Sequence, residues 1–241
     1  MIPDTPPVFP GALRKNDDIF IRAASGELPF ALVYEQDAVE VVHGPSFRAD
    51  DEIFAGRCAA DGVAVAARRG GGGTVVLAPG TLVIVAVGER RGGREGALDV
   101  FGRVHAGVAG ALRGAGVDGV DRAGISDLAV GGRKILGSSL YLGSRPPLFY
   151  YQASLLVSCD LGLLDRYLRH PPKEPEYRKG RSHSQFCTTL RGLGIQIDIG
   201  KLAGMIASEL KNCLRRGMPI IKSNNNKKGT PPLRGVPYPT L

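Results

Sequence analysis

The sequence predicts an α+β fold, with a mixed or antiparallel sheet flanked by helices. Three observations predict it. Strand-like apolar runs come in two groups, each followed by a helical pattern, with short turns between neighbours. Two runs, residues 74–77 and 82–87, are β-branched and apolar on both faces, as interior strands are. Between the groups, Leu98, Phe101, His105, Val108 and Leu112 recur at spacings of 3, 4, 3 and 4, the stripe of an amphipathic helix.

In chain order, residues 1–18 read as an irregular lead-in. Residues 31–34 and 38–42 read as two strands around a polar Glu35-Gln36-Asp37 turn. Asp50-Asp51-Glu52 opens a helix running to Ala60, its acids in the first turn where the helix dipole favours them. Residues 63–66 make a short strand into Arg68-Arg69 and four consecutive glycines, and Ala78-Pro79-Gly80 turns between the two interior strands. A basic, glycine-rich loop, residues 88–96, precedes the amphipathic helix, on whose stripe His105 reads as a core histidine. Residues 125–130, a Gly131-Gly132 turn and residues 133–141 follow, then a strand over 148–158. Leu161, Leu164 and Leu168 mark a short helix that Asp160 caps. Residues 170–184 are a polar, basic loop. Leu202, Ile206, Leu210 and Cys213 mark a last amphipathic helix. The tail from residue 217 is low-complexity and is expected to be disordered, leaving residues 1–216 as a single domain.

Composition narrows the function classes. The 241 residues suit one large domain, and 43% hydrophobic content supplies a core that only 6% aromatics and no Trp leave to aliphatic packing. The net charge of +8 favours anionic partners. No Lys/Arg run with interleaved aromatics is present, so nucleic acid is not the expected partner. Cys58, Cys159, Cys187 and Cys213 are far apart and form no C-x-x-C pair, which fits reduced thiols better than a zinc or disulfide framework. No signal peptide and no membrane span is read, so the expectation is a soluble, cytoplasmic protein.

Three segments carry candidate chemistry. The first is Arg68 with Gly71, Gly72 and Gly73. Consecutive glycines are costly to order and are kept where backbone must approach something closely, and bare amides beside arginine suit a carboxylate or phosphate. The second is Asp127, just before a double glycine, a carboxylate able to hold Mg²⁺. The third is Lys134 with Gly137, Ser138 and Ser139, a point charge for a phosphoryl or acyl oxygen. Together they suit a nucleoside-triphosphate site built without a P-loop, since no G-x-x-x-x-G-K-[ST] occurs. Residues 114–119 match G-x-G-x-x-G formally, but they follow a helix instead of a strand, so a Rossmann site is rejected.

The two segments Arg68-x-x-Gly71-Gly72-Gly73-Thr74-Val75 and Ser126-Asp127-Leu128-x-Val130-x-Gly132-Arg133-Lys134-Ile135-x-Gly137-Ser138-Ser139 resemble the lipoate–protein ligase A family. The resemblance spans about residues 31–190. It implies the class II biotin and lipoyl synthetase fold. It implies activation of lipoate, or octanoate, by ATP and Mg²⁺ to an acyl-adenylate, then transfer to a lysine of a lipoyl-accepting protein domain. It implies Lys134 as the catalytic lysine. Arg68, Gly71, Gly72, Gly73, Gly137 and Ser138 would bind the acyl group and its carboxylate. Thr74, Val75, Thr81, Asp127 and Lys134 would bind the adenylate, with Asp127 on the Mg²⁺. Strand residues 74–77 and 135–141 would wall an apolar slot. Leu77, Thr81, Ser126 and Gln152 depart from the family's common residues. No stretch of the sequence reads as the family's separate accessory domain, so the expectation is a separate accessory subunit or domain as a further partner. The basic loop at 175–186 reads as a lid over the adenylate or a docking surface for an acidic lipoyl domain. Two other readings are an ATP-independent octanoyl or lipoyl transferase using Cys159 or Cys187 as acyl carrier, and a non-catalytic relative that binds lipoyl domains.

Overall fold

The computed structural model describes Ile19, Phe20, Arg22 and residues 28–215. The expected lead-in and the expected tail lie outside those residues. The elements are β1 (Phe30–Glu35), β2 (Glu40–His43), α1 (Ala49–Glu52), α2 (Ala55–Ala60), β3 (Ala64–Ala67), β4 (Val75–Leu77), β5 (Thr81–Glu89), α3 (Ala97–Gly114), β6 (Val120–Ala123), β7 (Asp127–Val130), β8 (Arg133–Leu142), β9 (Leu148–Leu156), α4 (Gly162–Tyr167), α5 (His183–Phe186) and α6 (Ile199–Arg215). Six strands form an antiparallel sheet in the order β1-β5-β9-β8-β7-β6. Three form a small mixed sheet in the order β3-β2-β4, parallel at β2–β3 and antiparallel at β2–β4.

The large sheet is apolar on both faces because both are covered. Leu82, Ile84 and Ala86 of β5, with Phe149, Tyr151 and Leu155 of β9, face α3 and α6. Val100, Val104, Val108 and Leu112 from α3 and Leu202, Ile206, Leu210 and Leu214 from α6 fill that layer. Each such buried side chain contributes roughly 2 kcal/mol. On the opposite face, Val83, Val85, Val87 and Tyr150 meet Leu77, Val42 and Val75 of the small sheet. The small sheet's outer face, Val41, Val65 and Val76, is covered by residues of α2, α4 and α5. The layers are therefore helix, large sheet, small sheet and helix.

Several expectations are corrected. The strands around residues 35–37 do not pair with each other. Gln36 donates its N–H to Thr81 O, so the chain stays on the edge of β5 before it crosses to the small sheet. The turn at 78–80 likewise joins two sheets instead of one hairpin, and β4 lies at an edge of its sheet. The helix expected through Ala60 breaks at residues 53–54, where Ile53 bridges to Leu168. Leu98 is 62% exposed and lies off the buried stripe of α3. On α6, Leu214 is buried in place of the half-buried Cys213. His105 is a core histidine as expected.

Candidate active site

A cavity of about 1320 Å³ opens between the two sheets. That exceeds the usual few hundred to a thousand Å³ of a pocket for one small ligand. Its apolar walls come from Val42, Val75 and Leu77 on the small sheet and Val83 and Tyr150 on the large one. The expected slot wall at 135–141 is only partly there. Ile135, Leu136 and Leu140 face the helix layer, and β8 shows Gly137, Ser138 and Ser139 to the cavity.

The β7–β8 hairpin sets Lys134 against Asp127. Gly131 and Gly132 turn it with φ of 56° and 72°, a left-handed region that suits glycine. The register slips between Leu128 and Ala129. Leu128 opposes Leu136, but Ala129 opposes Lys134, so Ile135 is an extra residue. In a regular strand, residues three apart face opposite sides. The bulge buries Ile135 and Leu136 together and puts Lys134 and Gly137 on the cavity side. Lys134 Nζ reaches Asp127 Oδ1 at 2.9 Å. A Cβ at residue 137 would lie 2.6 Å from both Cε and Nζ of Lys134, so the glycine is what lets the amine lie there. Asp127 Oδ2 accepts from Tyr177 Oη at 2.7 Å. Both carboxylate oxygens thus have partners, one of them from a loop fifty residues downstream.

The glycine stretch divides its work differently from the sequence expectation. Gly70, beside the expected triplet, makes the close approach: a Cβ there would meet Ser139 Oγ at 2.7 Å and Leu140 N at 3.0 Å. Gly72 has φ of 100°. Gly71 and Gly73 face open space, and Gly72 and Gly73 line the cavity, which Gly71 does not. Arg68 lines the cavity and braces this loop. Its guanidinium donates to Val42 O (3.0 Å), Gly71 O (3.0 Å) and Gly73 O (2.8 Å). Burial lowers its pKa to about 10, with Glu52 opposing the drop.

Thr74 and Val75 line the cavity, but the Thr74 hydroxyl donates to Glu52 Oε2 at 2.6 Å. Thr81 is not at the site: it is wholly buried at the start of β5, opposite Leu156, and lies outside the cavity lining. Ser138 turns its hydroxyl away, donating to Ser126 O at 2.6 Å. That commits its one proton, so His105 Nε2, at 3.0 Å, is the donor to Ser138 Oγ.

Two residues that sequence reasoning missed support the site. Glu52 holds Thr74 by N–H (3.1 Å) and hydroxyl and accepts from Arg48 N (3.2 Å). Tyr177 holds Asp127. Neither pairing has a local signal, because the partners lie 22 and 50 residues apart. Glu52→Ala is expected to lower stability by about 1–3 kcal/mol, with Thr74 left unpaired at the glycine loop. A urea unfolding curve checks this, and an unchanged midpoint would remove Glu52 from the account.

Burial lowers the pKa of His105 to about 4, and that of His183, also by burial first, to about 4. Both are depressed below the ordinary 6.5, so the unfolded chain takes up their protons first. Stability is present in full above about pH 6.5 and falls as the pH drops towards 4, on the order of 3 kcal/mol for fully buried His105. Urea midpoints across pH 7.5 to 4 test this; a flat profile contradicts it.

Residues 16–211 match the profile of the lipoyl protein ligase A/B catalytic domain. The chain belongs to that family. Solved structures agree on the fold. The Thermoplasma acidophilum bipartite lipoate protein ligase, studied with its lipoyl domain, superposes with a TM-score of 0.72 at 21% identity, over 87% of this chain and 82% of that one. Lipoate-protein ligase A bound with ATP gives 0.70 at 20%, over 84% and 79%. A putative lipoate protein ligase from T. acidophilum with bound lipoic acid gives 0.65 at 19%, over 79% and 74%. No curated protein sequence matches the chain. The fold is thus the α+β ligase fold that the resemblance implied. Among the described residues, no helix is long and apolar enough to cross a membrane.

Proposed function

We propose that this family member is a lipoate–protein ligase that activates lipoate or octanoate with ATP and passes the acyl group to a lysine of a lipoyl-accepting domain. One observation carries the reading: a lysine ammonium, seated over a glycine and paired to a buried carboxylate, facing a cavity large enough for an acyl chain and a nucleotide. The family supports it, as do relatives described with lipoic acid, with ATP and with a lipoyl domain. The bipartite relative also supports a separate accessory polypeptide as a partner.

In the first step an acyl carboxylate oxygen attacks the α-phosphorus. A P–O bond forms, the bond to the bridging oxygen breaks, and pyrophosphate leaves with the electron pair. Lys134 offsets the charge that develops on the α-phosphate. The exposed edge of the glycine loop, Gly72 and Gly73, lets the phosphate or carboxylate approach backbone directly. The apolar walls exclude water from the chain of the acid. In the second step the acceptor amine attacks the acyl carbon, AMP leaves, and the amine sheds its proton.

Asp127 is the carboxylate that fits Mg²⁺, as a single protein ligand to an ion held mainly by phosphate oxygens and water. The described residues hold no group of three or more His, Cys, Asp or Glu side chains suited to a metal. Bound there, Mg²⁺ would neutralise phosphate charge.

The cysteine-transferase reading lacks an activated thiol. Burial first pushes Cys187 up to about 11, and burial raises Cys159 as well. The thiolate is the nucleophile, so both are poor acyl carriers near neutral pH. The test is ATP–pyrophosphate exchange dependent on lipoate or octanoate, followed by the mass of a lipoyl domain. Acylation without ATP, through a thioester trapped on cysteine, would replace this reading with the transferase.

A further inference from the structure

We propose that Tyr177 is a positioning residue, latching the segment from 170 to 186 over Lys134 through the carboxylate they share, Asp127. Residues 171–178 line the cavity in unbroken succession, so this segment forms one wall of it. Its two ends are pinned. Arg169 donates its N–H to Glu52 O at 2.9 Å at one end, and Thr188 donates to Lys134 O at 2.9 Å at the other. Between the pins, internal bonds stiffen the segment, among them Gly180 N–H to Glu174 Oε1 at 2.8 Å. Arg181 reaches out to Gly132 O at 3.1 Å, on the hairpin turn.

Tyr177 differs from these contacts because its hydroxyl ends on the group that holds Lys134. Asp127 gives one oxygen to each. When a substrate carboxylate or phosphate draws the Lys134 ammonium away, Asp127 keeps its bond to Tyr177, and the wall stays shut. The ring is seated independently of the hydroxyl. It lies against the Gly124 turn, where an added Cβ would be 3.6 Å from Cε1, and its centroid is 4.9 Å from that of Phe186. Removing the hydroxyl alone should therefore unlatch the wall without unpacking it.

The latch stands on geometry, and its consequence, retention of the acyl-adenylate, rests on the ligase reading. Amide hydrogen exchange on the full chain tests the latch. Tyr177→Phe is expected to speed exchange over residues 175–188 roughly tenfold, the scale of a lost hydrogen bond to a charged group, and to leave α3 and α6 unchanged. Asp127→Asn keeps an oxygen acceptor for Tyr177 and is expected to change that region by less than about threefold. Should Tyr177→Phe fail to fold, Asp127→Ala removes the acceptor instead and must speed the same residues. Unaltered exchange over 175–188 in Tyr177→Phe overturns the latch. In turnover, Tyr177→Phe is expected to release acyl-adenylate, so that more ATP is consumed per acyl group transferred while pyrophosphate exchange stays within a few-fold. Faster exchange of the segment with unchanged coupling overturns the retention role. A wild-type chain that makes no acyl-adenylate contradicts the ligase reading alone, and the exchange data still decide the latch.

Discussion

Lys134→Ala is expected to lower lipoate-dependent ATP–pyrophosphate exchange by about 10³-fold, the scale of removing one preorganised charge from a transition state. The ammonium reaches Asp127 at 2.9 Å with its side chain 23% exposed, so it is accessible to a ligand yet held in place. Folding should survive the change. Lys134 contributes its strand position through its backbone, whose carbonyl accepts from Thr188 and whose pairing partner is Ala129. Asp127 keeps Tyr177 as a partner in the variant. The expected pattern is therefore lost chemistry with a urea midpoint within about 1 kcal/mol of wild type. Exchange that survives within tenfold would take Lys134 out of the chemistry.

Gly137→Ala is the second large effect, and it separates geometry from charge. The added methyl would lie 2.6 Å from the Cε and Nζ of Lys134 and 3.7 Å from Asp127 Oδ1. The obstructed atoms are the far end of a flexible side chain, so the strand need not move. Lys134 must swing off Asp127 instead. Exchange is expected to fall by about 10²-fold, since a misplacement of about 1 Å can cost that much. Residue 137 has an ordinary strand conformation, so the stability change should be small. Gly70→Ala offers the contrast. Its methyl would strike Ser139 and the backbone of Leu140, so it is expected to strain the loop and lower stability as well as activity. A Gly137→Ala enzyme with wild-type exchange would mean that the Lys134 position seen here is not the working one.

The fold was legible where burial is two-sided or strictly periodic. Residues 82–87 and 148–156 announce central strands because each has helices on one face and the small sheet or cavity on the other. Partner choice was not legible. The Glu35-Gln36-Asp37 link looks like a hairpin turn, yet β1 pairs with β5 and β2 with β3 and β4, because non-local burial decides pairing. The site was half legible. Lys134, Asp127 and Gly137 sit in one short segment whose residue types carry their chemistry. The bulge at Ile135 that turns Lys134 and Gly137 to one side leaves no local mark in composition. Gly70 lies outside the triplet expected from the sequence because its contact is with a strand about seventy residues away. Glu52 and Tyr177 read as surface residues until tertiary structure brought them to Thr74 and Asp127. The resemblance implies an adenylate role for Thr81, but the chain buries it away from the cavity.

On the proposed reading, the cavity between the two sheets is an acyl-adenylate site organised by Lys134. Titration of the purified chain with a non-hydrolysable lipoyl-sulfamoyl adenosine, followed by calorimetry, tests it most directly. Binding is expected in a one-to-one ratio, weakened at least about a hundredfold in Lys134→Ala, on the scale of a lost charged contact in a water-excluded site. Absence of binding, or equal affinity in the variant, would contradict it.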